Sequence, residues 1–102
     1  MNKIINGKKY DTTTAKMVGS YDNGEEYLGF LYVEEELYQK KTGEFFLYGW
    51  GGAMTEYRVK CGSNNWSGSS CIVPYSIDEA KEWAMEHMSG DKYEEVFGPV
   101  EE

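Results

Sequence analysis

The glycine at position 43 constrains this chain more than any other residue. It sits in Lys41-Thr42-Gly43-Glu44, inside the stretch Leu28 to Gly52, LGFLYVEEELYQKKTGEFFLYGWGG. Runs rich in β-branched and aromatic residues lie on both sides of it. Glycine accepts positive φ at little cost, so at the third turn position it suits a type I turn followed by a bulge. The stretch therefore reads as a β-hairpin. With Lys40 opposite Glu44, Tyr38 faces Phe46, Leu37 faces Leu47 and Glu36 faces Tyr48. Alternation puts Leu37 and Leu47 on one face and Tyr38, Phe46 and Tyr48 on the other. One face is expected to meet helices and the other to serve as a contact surface. A slip of one residue would exchange them.

Other elements follow from local signals. Lys3 to Ile5 and Lys8 to Tyr10 flank Asn6-Gly7, a strong turn pair for a short hairpin. Asp11 reads as the N-cap of a helix over Thr12 to Val18, stopped by Gly19, although three threonines are weak helix formers. Ser20 to Glu26 is polar, with Asp22-Asn23-Gly24 as a turn. Ala53 to Glu56 reads as a loop, Tyr57 to Cys61 as a strand, and Gly62 to Ser70 as a polar loop carrying Trp66. Cys71 to Val73 is a strand closed by Pro74. Ser76 and Glu79 form a capping box for a helix to about Met88. At 100° per residue, Ile77, Ala80, Ala84 and Met88 share an apolar stripe, bordered by Trp83, Met85 and His87. Asp91 to Glu94 opens a last short helix that ends near Phe97 before Gly98-Pro99. The expected fold is α+β in a single domain over residues 1–102. It is a small antiparallel sheet of about four strands, its central hairpin near 30–50, with helices packed on one face.

Composition narrows the function classes. An aromatic share of 16% argues against disorder despite the hydrophilic average. The formal net charge of -8 repels nucleic acid and anionic membrane and attracts basic partners. Direct DNA binding is therefore not expected. The segment MNKIINGKKY has no apolar signal core, and no run approaches membrane-spanning length. A cytoplasmic location in a bacterial host is expected. Cys61 and Cys71 fit neither a CxxC redox motif nor a zinc knuckle. They read as reduced, half-buried thiols, with a cross-strand disulfide as the alternative.

Catalytic chemistry finds little support. His87 is the only histidine and reads as a packing or surface residue. No HExxH motif, spaced Cys/His set or phosphate-binding glycine loop accompanies it. No enzyme activity, metal or cofactor is expected.

The acids are more informative. On the Ser76 helix, Asp78, Glu82 and Glu86 are spaced four apart with Glu79 beside them, covering an arc of about 100° opposite the core stripe. Like charges at that spacing cost a helix about 0.2–0.5 kcal/mol per pair. Lys81 lies off this line. A second cluster, Glu34-Glu35-Glu36, occupies the hairpin, and no basic residue occurs between Lys16 and Lys40. One reading is a solvated acidic surface. The other is a face that mimics nucleic-acid phosphates and docks into a basic groove. Tyr48, Trp50 and Trp66 are the residue types of interface anchors, with core packing as their alternative role.

The block GEFFLYGWGGAMTEY, its continuation SNNWSGSSCIVPYSIDEAKEWAMEHM and the opening INGKKYDTTTAK resemble a small domain carried on mobile elements of Gram-positive bacteria and their phages. The likeness extends to about Phe97. It is similar to a domain in anti-CRISPR proteins that act against type II Cas9 nucleases. The resemblance implies a protein that binds Cas9, or the Cas9–guide RNA complex, or that interferes with guide loading. It assigns no function to any single residue. The alternative is a small acidic interaction module of a mobile-element regulator with a different protein partner.

Overall fold

The structure, a computed structural model, describes residues 1–25, 31–52 and 69–102. Its centre is an antiparallel sheet of four strands in the order β3 (Lys16–Asp22), β4 (Val33–Gln39), β5 (Phe45–Gly51) and β6 (Ser69–Tyr75). A separate hairpin, β1 (Asn2–Ile5) with β2 (Lys8–Asp11), precedes it. Two helices, α1 (Ile77–His87) and α2 (Gly90–Phe97), follow it. The α+β architecture matches the expectation.

The hairpin register is the predicted one. Glu36 pairs with Tyr48, Leu37 with Leu47 and Tyr38 with Phe46. Gly43 has φ 94°. Its N–H donates to the Lys40 carbonyl at 2.9 Å, and the Lys40 N–H donates to the Glu44 carbonyl at 2.8 Å. Leu37 and Leu47 have no exposed surface and join Val18, Phe45, Ala80 and Trp83 in the core under the helices. Tyr38 and Phe46 lie on the opposite face, stacked at 5.2 Å between ring centroids.

That opposite face is not wholly a contact surface, as was expected of it. The β1–β2 hairpin covers part of it, with Tyr10 buried edge-on against Phe46 at 5.6 Å. Lys8 Nζ bonds Glu44 at 2.9 Å, and Lys40 Nζ lies 3.8 Å from the centre of the Tyr10 ring. The Asn6-Gly7 turn forms as read, with φ of 52° and 77°.

The helix expected over Thr12 to Val18 is absent. Asp11 does cap a donor: its Oδ1 accepts from the Thr13 N–H at 2.9 Å and the Thr13 hydroxyl at 2.7 Å. Those bonds hold its carboxyl below the usual carboxylate range. They close a tight turn, however, and β3 begins at Lys16. Three β-branched threonines disfavour helix, and strand pairing with β4 wins. A bulge between Met17 and Gly19 hid the strand by breaking its period-two pattern. Gly19 is where the sheet meets α1. A side chain there would come within 2.9 Å of the Met88 sulfur and 3.0 Å of the Trp83 ring.

The C-terminal half needs smaller corrections. β6 continues through Pro74 to Tyr75, as an outermost strand among the described ones permits. Ser89, not Asp91, caps α2, accepting from the Lys92 N–H at 3.2 Å. Cys71 is buried, and its sulfur is in a disulfide, which corrects the reading of reduced thiols. That reading rested on compartment rather than on backbone approach, which spacing alone does not give. The expected loop at 53–56, the strand at 57–61, Cys61 and most of the 62–70 loop lie outside the described residues.

The Ser76–Glu79 capping box is complete. The Glu79 N–H donates to Ser76 Oγ at 3.1 Å, and the Ser76 N–H donates to Glu79 Oε1 at 2.9 Å. Ser76→Ala should lower unfolding stability by about 1 kcal/mol, while Ser76→Gly costs only a few tenths. Urea midpoints at unchanged slope measure this. Equal midpoints for Ser76→Ala and the parent would contradict the assignment.

Candidate functional site

The hairpin acids divide by strand alternation. Glu34 and Glu36 lie on the face away from the helices, and Glu35 points the other way. Glu35 is buried at 7% exposure, and its Oε1 accepts the Trp83 indole N–H at 3.0 Å. Glu34 to Glu36 therefore do not form one acidic face, because consecutive strand residues point to opposite sides. The acids that share a face are Glu34 and Glu36, each paired with an aromatic residue. Glu34 lies opposite Trp50, and Glu36 opposite Tyr48. All four are half-buried.

Each of these carboxylates has a phenol donor. The Tyr32 hydroxyl donates to Glu34 at 2.8 Å, and the Tyr38 hydroxyl donates to Glu36 at 2.9 Å. Burial, then the Glu36 bond, push the Tyr38 phenol up to about 12. On the next strand Asp22 is the cross-strand partner of Glu34. Carboxylates directly opposite one another destabilise a sheet. Trp50 packs at 5.5 Å from Tyr32. Trp66 lies outside the described residues.

The helix acids lie on the other side of the sheet. Asp78, Glu79, Glu82 and Glu86 are all exposed on α1. Ala80, Trp83 and Ala84 are its buried residues, while Ile77, expected in the core stripe, is 55% exposed. The buried face is thus rotated by about 50° from the expected stripe, toward Trp83. An indole buries far more area than Ile77 could, and its N–H must find a partner. The rotation brings Glu79 and Glu86 toward the Trp83 edge of the core, while Asp78 stays opposite it.

Among the described residues no lysine or arginine pairs with this arc. The lysines that do pair lie elsewhere: Lys8 and Lys40 with Glu44, Lys9 with Asp11, and Lys92 with Glu95. Glu79 is engaged in its own cap. Glu86 Oε2 lies 3.6 Å from His87 Nε2.

His87 is a packing residue with a polar edge. It stacks on Tyr21 at 3.8 Å between centroids and touches Trp83 at 5.0 Å. These rings line an open cleft of about 360 Å³ between α1 and the sheet. Tyr21 and Tyr75 were missed as site residues. The misread helix ended just before Tyr21, and Tyr75 falls after the proline taken as a strand end. A tyrosine between a strand and a capping box was the available signal.

No group of three His, Cys, Asp or Glu side chains among the described residues could hold a metal ion. No helix among them is long and apolar enough to cross a membrane. The disulfide at Cys71 removes reduced thiols as support for a cytoplasmic location. No family model, curated protein or solved structure matches the chain.

The Trp83–Glu35 bond sets how α1 seats. Trp83→Phe removes the donor and part of the ring, and should cost about 2 kcal/mol. Coupled with Glu35→Ala, which removes the acceptor, in a double-mutant cycle, the pair should show an interaction energy of about 1 kcal/mol or more. Additive losses in urea unfolding would mean that the contact does not position the helix.

Proposed function

We propose that the protein is a non-enzymatic, stoichiometric inhibitor that binds a type II Cas9 nuclease. Its α1 carboxylates take the place of polynucleotide phosphates on a basic protein surface. One observation carries this reading: Asp78, Glu82 and Glu86 are exposed, spaced four apart and unmatched by lysine or arginine among the described residues. Asp78 also favours the helix N-terminus, but the Asp78–Glu82 and Glu82–Glu86 repulsions cost the isolated helix stability, which a role outside folding accounts for. Cas9 holds guide and target in a positively charged channel, which gives the arc a complementary surface. The identity of the partner comes from the sequence resemblance; the arc supplies the chemistry of contact.

A second reading has its own observation. The cross-strand pairs Glu34–Trp50 and Glu36–Tyr48 form a block of acid and aromatic residues on the opposite face. A module using that face would bind a different partner through Trp50 as anchor.

The test is a Cas9 cleavage assay with the protein added before or after guide loading. Inhibition confined to the first order would indicate blocked assembly, and inhibition in both would indicate occlusion of the loaded complex. Glu82→Lys combined with Glu86→Lys should raise the inhibitory concentration by about 30-fold or more, and Trp50→Ala by less than about threefold. The reverse ranking would favour the second reading. Uninhibited cleavage by the parent protein in both orders would remove Cas9 as the partner.

A further inference from the structure

Where α1 and α2 meet, an apolar groove of about 250 Å³ opens to solvent. Ala84, Met85 and Met88 of α1, Tyr93 and Glu94 of α2, and Val100 beyond it line the groove. Ala84 is fully buried and leaves the recess between the helices unfilled. Met85 and Val100 are its lips, 64% and 58% exposed. The chain itself holds Val100 there. Gly98 takes φ 93° and ends α2, its N–H donating to the Glu94 carbonyl at 2.8 Å. The Val100 N–H then donates to Glu94 Oε2 at 3.1 Å. Two bonds onto one glutamate thus build the third wall.

The border of the groove is acidic. Asp78 and Glu82 lie seven and three residues before Met85, on the same side of α1. Glu94 lines the groove, and Glu101 and Glu102 follow Val100. All five are exposed, and none has a lysine or arginine partner among the described residues. Lys81, four residues before Met85, is the basic residue on this side of α1, and it does not line the groove.

Apolar lips inside an acidic border are the chemistry that recognises an amphipathic, basic segment. Methionine side chains are unbranched and polarizable, and they adapt to apolar groups of different shape. An anionic membrane, or a second copy of a chain with a net charge of -8, meets like charge at this border. We propose that the groove docks an amphipathic, basic segment of the protein partner. One apolar side chain of that segment seats between Met85 and Val100, and its basic residues lie against Asp78, Glu82 and Glu94. This deepens the docking reading above and rests on it: the acids attract a basic surface, and the groove supplies the apolar anchor that fixes its register.

Titration with two blocked peptides of equal charge tests it, an amphipathic leucine–lysine helix and an oligolysine. Binding is read by calorimetry and from the Met85 and Met88 methyl resonances. The amphipathic peptide should bind about tenfold tighter, with a negative heat-capacity change, and shift both resonances. Met85→Ser should weaken it by about fivefold or more, and should raise the inhibitory concentration against Cas9 by a similar factor. Ile4→Ser, a change at an exposed apolar residue of the β1–β2 hairpin, should alter either by less than about twofold. Equal binding of the two peptides, no binding of either, or equal effects of Met85→Ser and Ile4→Ser would overturn the groove. Self-association of the parent that Met85→Ser abolishes would overturn it too, and assign the groove to a second copy. The docking reading fails separately, if Glu82→Lys combined with Glu86→Lys leaves inhibition unchanged.

Discussion

The structure turns on one hydrogen bond between a helix and a strand. Trp83 drives its indole into the core under α1, and its N–H ends on the buried Glu35 carboxylate of β4. An indole N–H in a core needs an acceptor, and a carboxylate in a core needs donors. Each therefore explains the other. With Ala80 and Ala84 buried beside it and His87 stacked on Tyr21, this bond sets the rotation of α1 about its own axis. That rotation decides which residues meet solvent. It leaves Ile77 outside, packs Met88 and Trp83 over Gly19, and turns Glu79 and Glu86 toward the Trp83 edge of the core.

Charge follows the same division. The β1–β2 hairpin and the Gly43 turn form an end where lysines are matched, Lys8 to Glu44 at 2.9 Å and Lys9 to Asp11 at 3.7 Å. The Glu44 carboxyl is held low chiefly by its bond from Lys8, and the Lys8 ammonium is raised by the same bond. The α1 end has carboxylates without lysine or arginine counterparts among the described residues. The net charge of -8 is thus spread over several unmatched acids, and α1 displays one group of them along a single exposed arc. Folding accounts for Asp78 and Glu79, which sit in the first turn of the helix, but not for Glu82 and Glu86. Those two are the residues that the proposed docking to a cationic surface would use.

Much of the fold was legible wherever a local rule had no competitor. Gly43 fixed the turn, the turn fixed the register, and the register fixed the two faces of the sheet. Ser76 and Glu79 announced α1 because their two bonds are made within four residues. Asp11 misled because its carboxylate caps a tight turn with the same bonds it would use at a helix start. Gly19 misled because a bulge erased the alternation around it. The site was legible as residue types but not as groupings. Glu34, Glu35 and Glu36 are adjacent in sequence and opposite in space. Tyr21, Tyr75 and His87 are far apart in sequence and share one cleft, through pairings that no local pattern encodes. The rotation of α1 was also hidden, because apolar periodicity does not weigh an indole's hydrogen bond against an isoleucine's area.

The docking proposal is that carboxylates displayed by α1 bring this protein to a basic nuclease surface. Its most direct test is the affinity of the protein for guide-free Cas9 measured across a series of salt concentrations. Binding should weaken by about tenfold or more as ionic strength rises from about 0.05 to about 0.2 M. Tight binding that is indifferent to salt, or no binding at the lowest ionic strength, would contradict it.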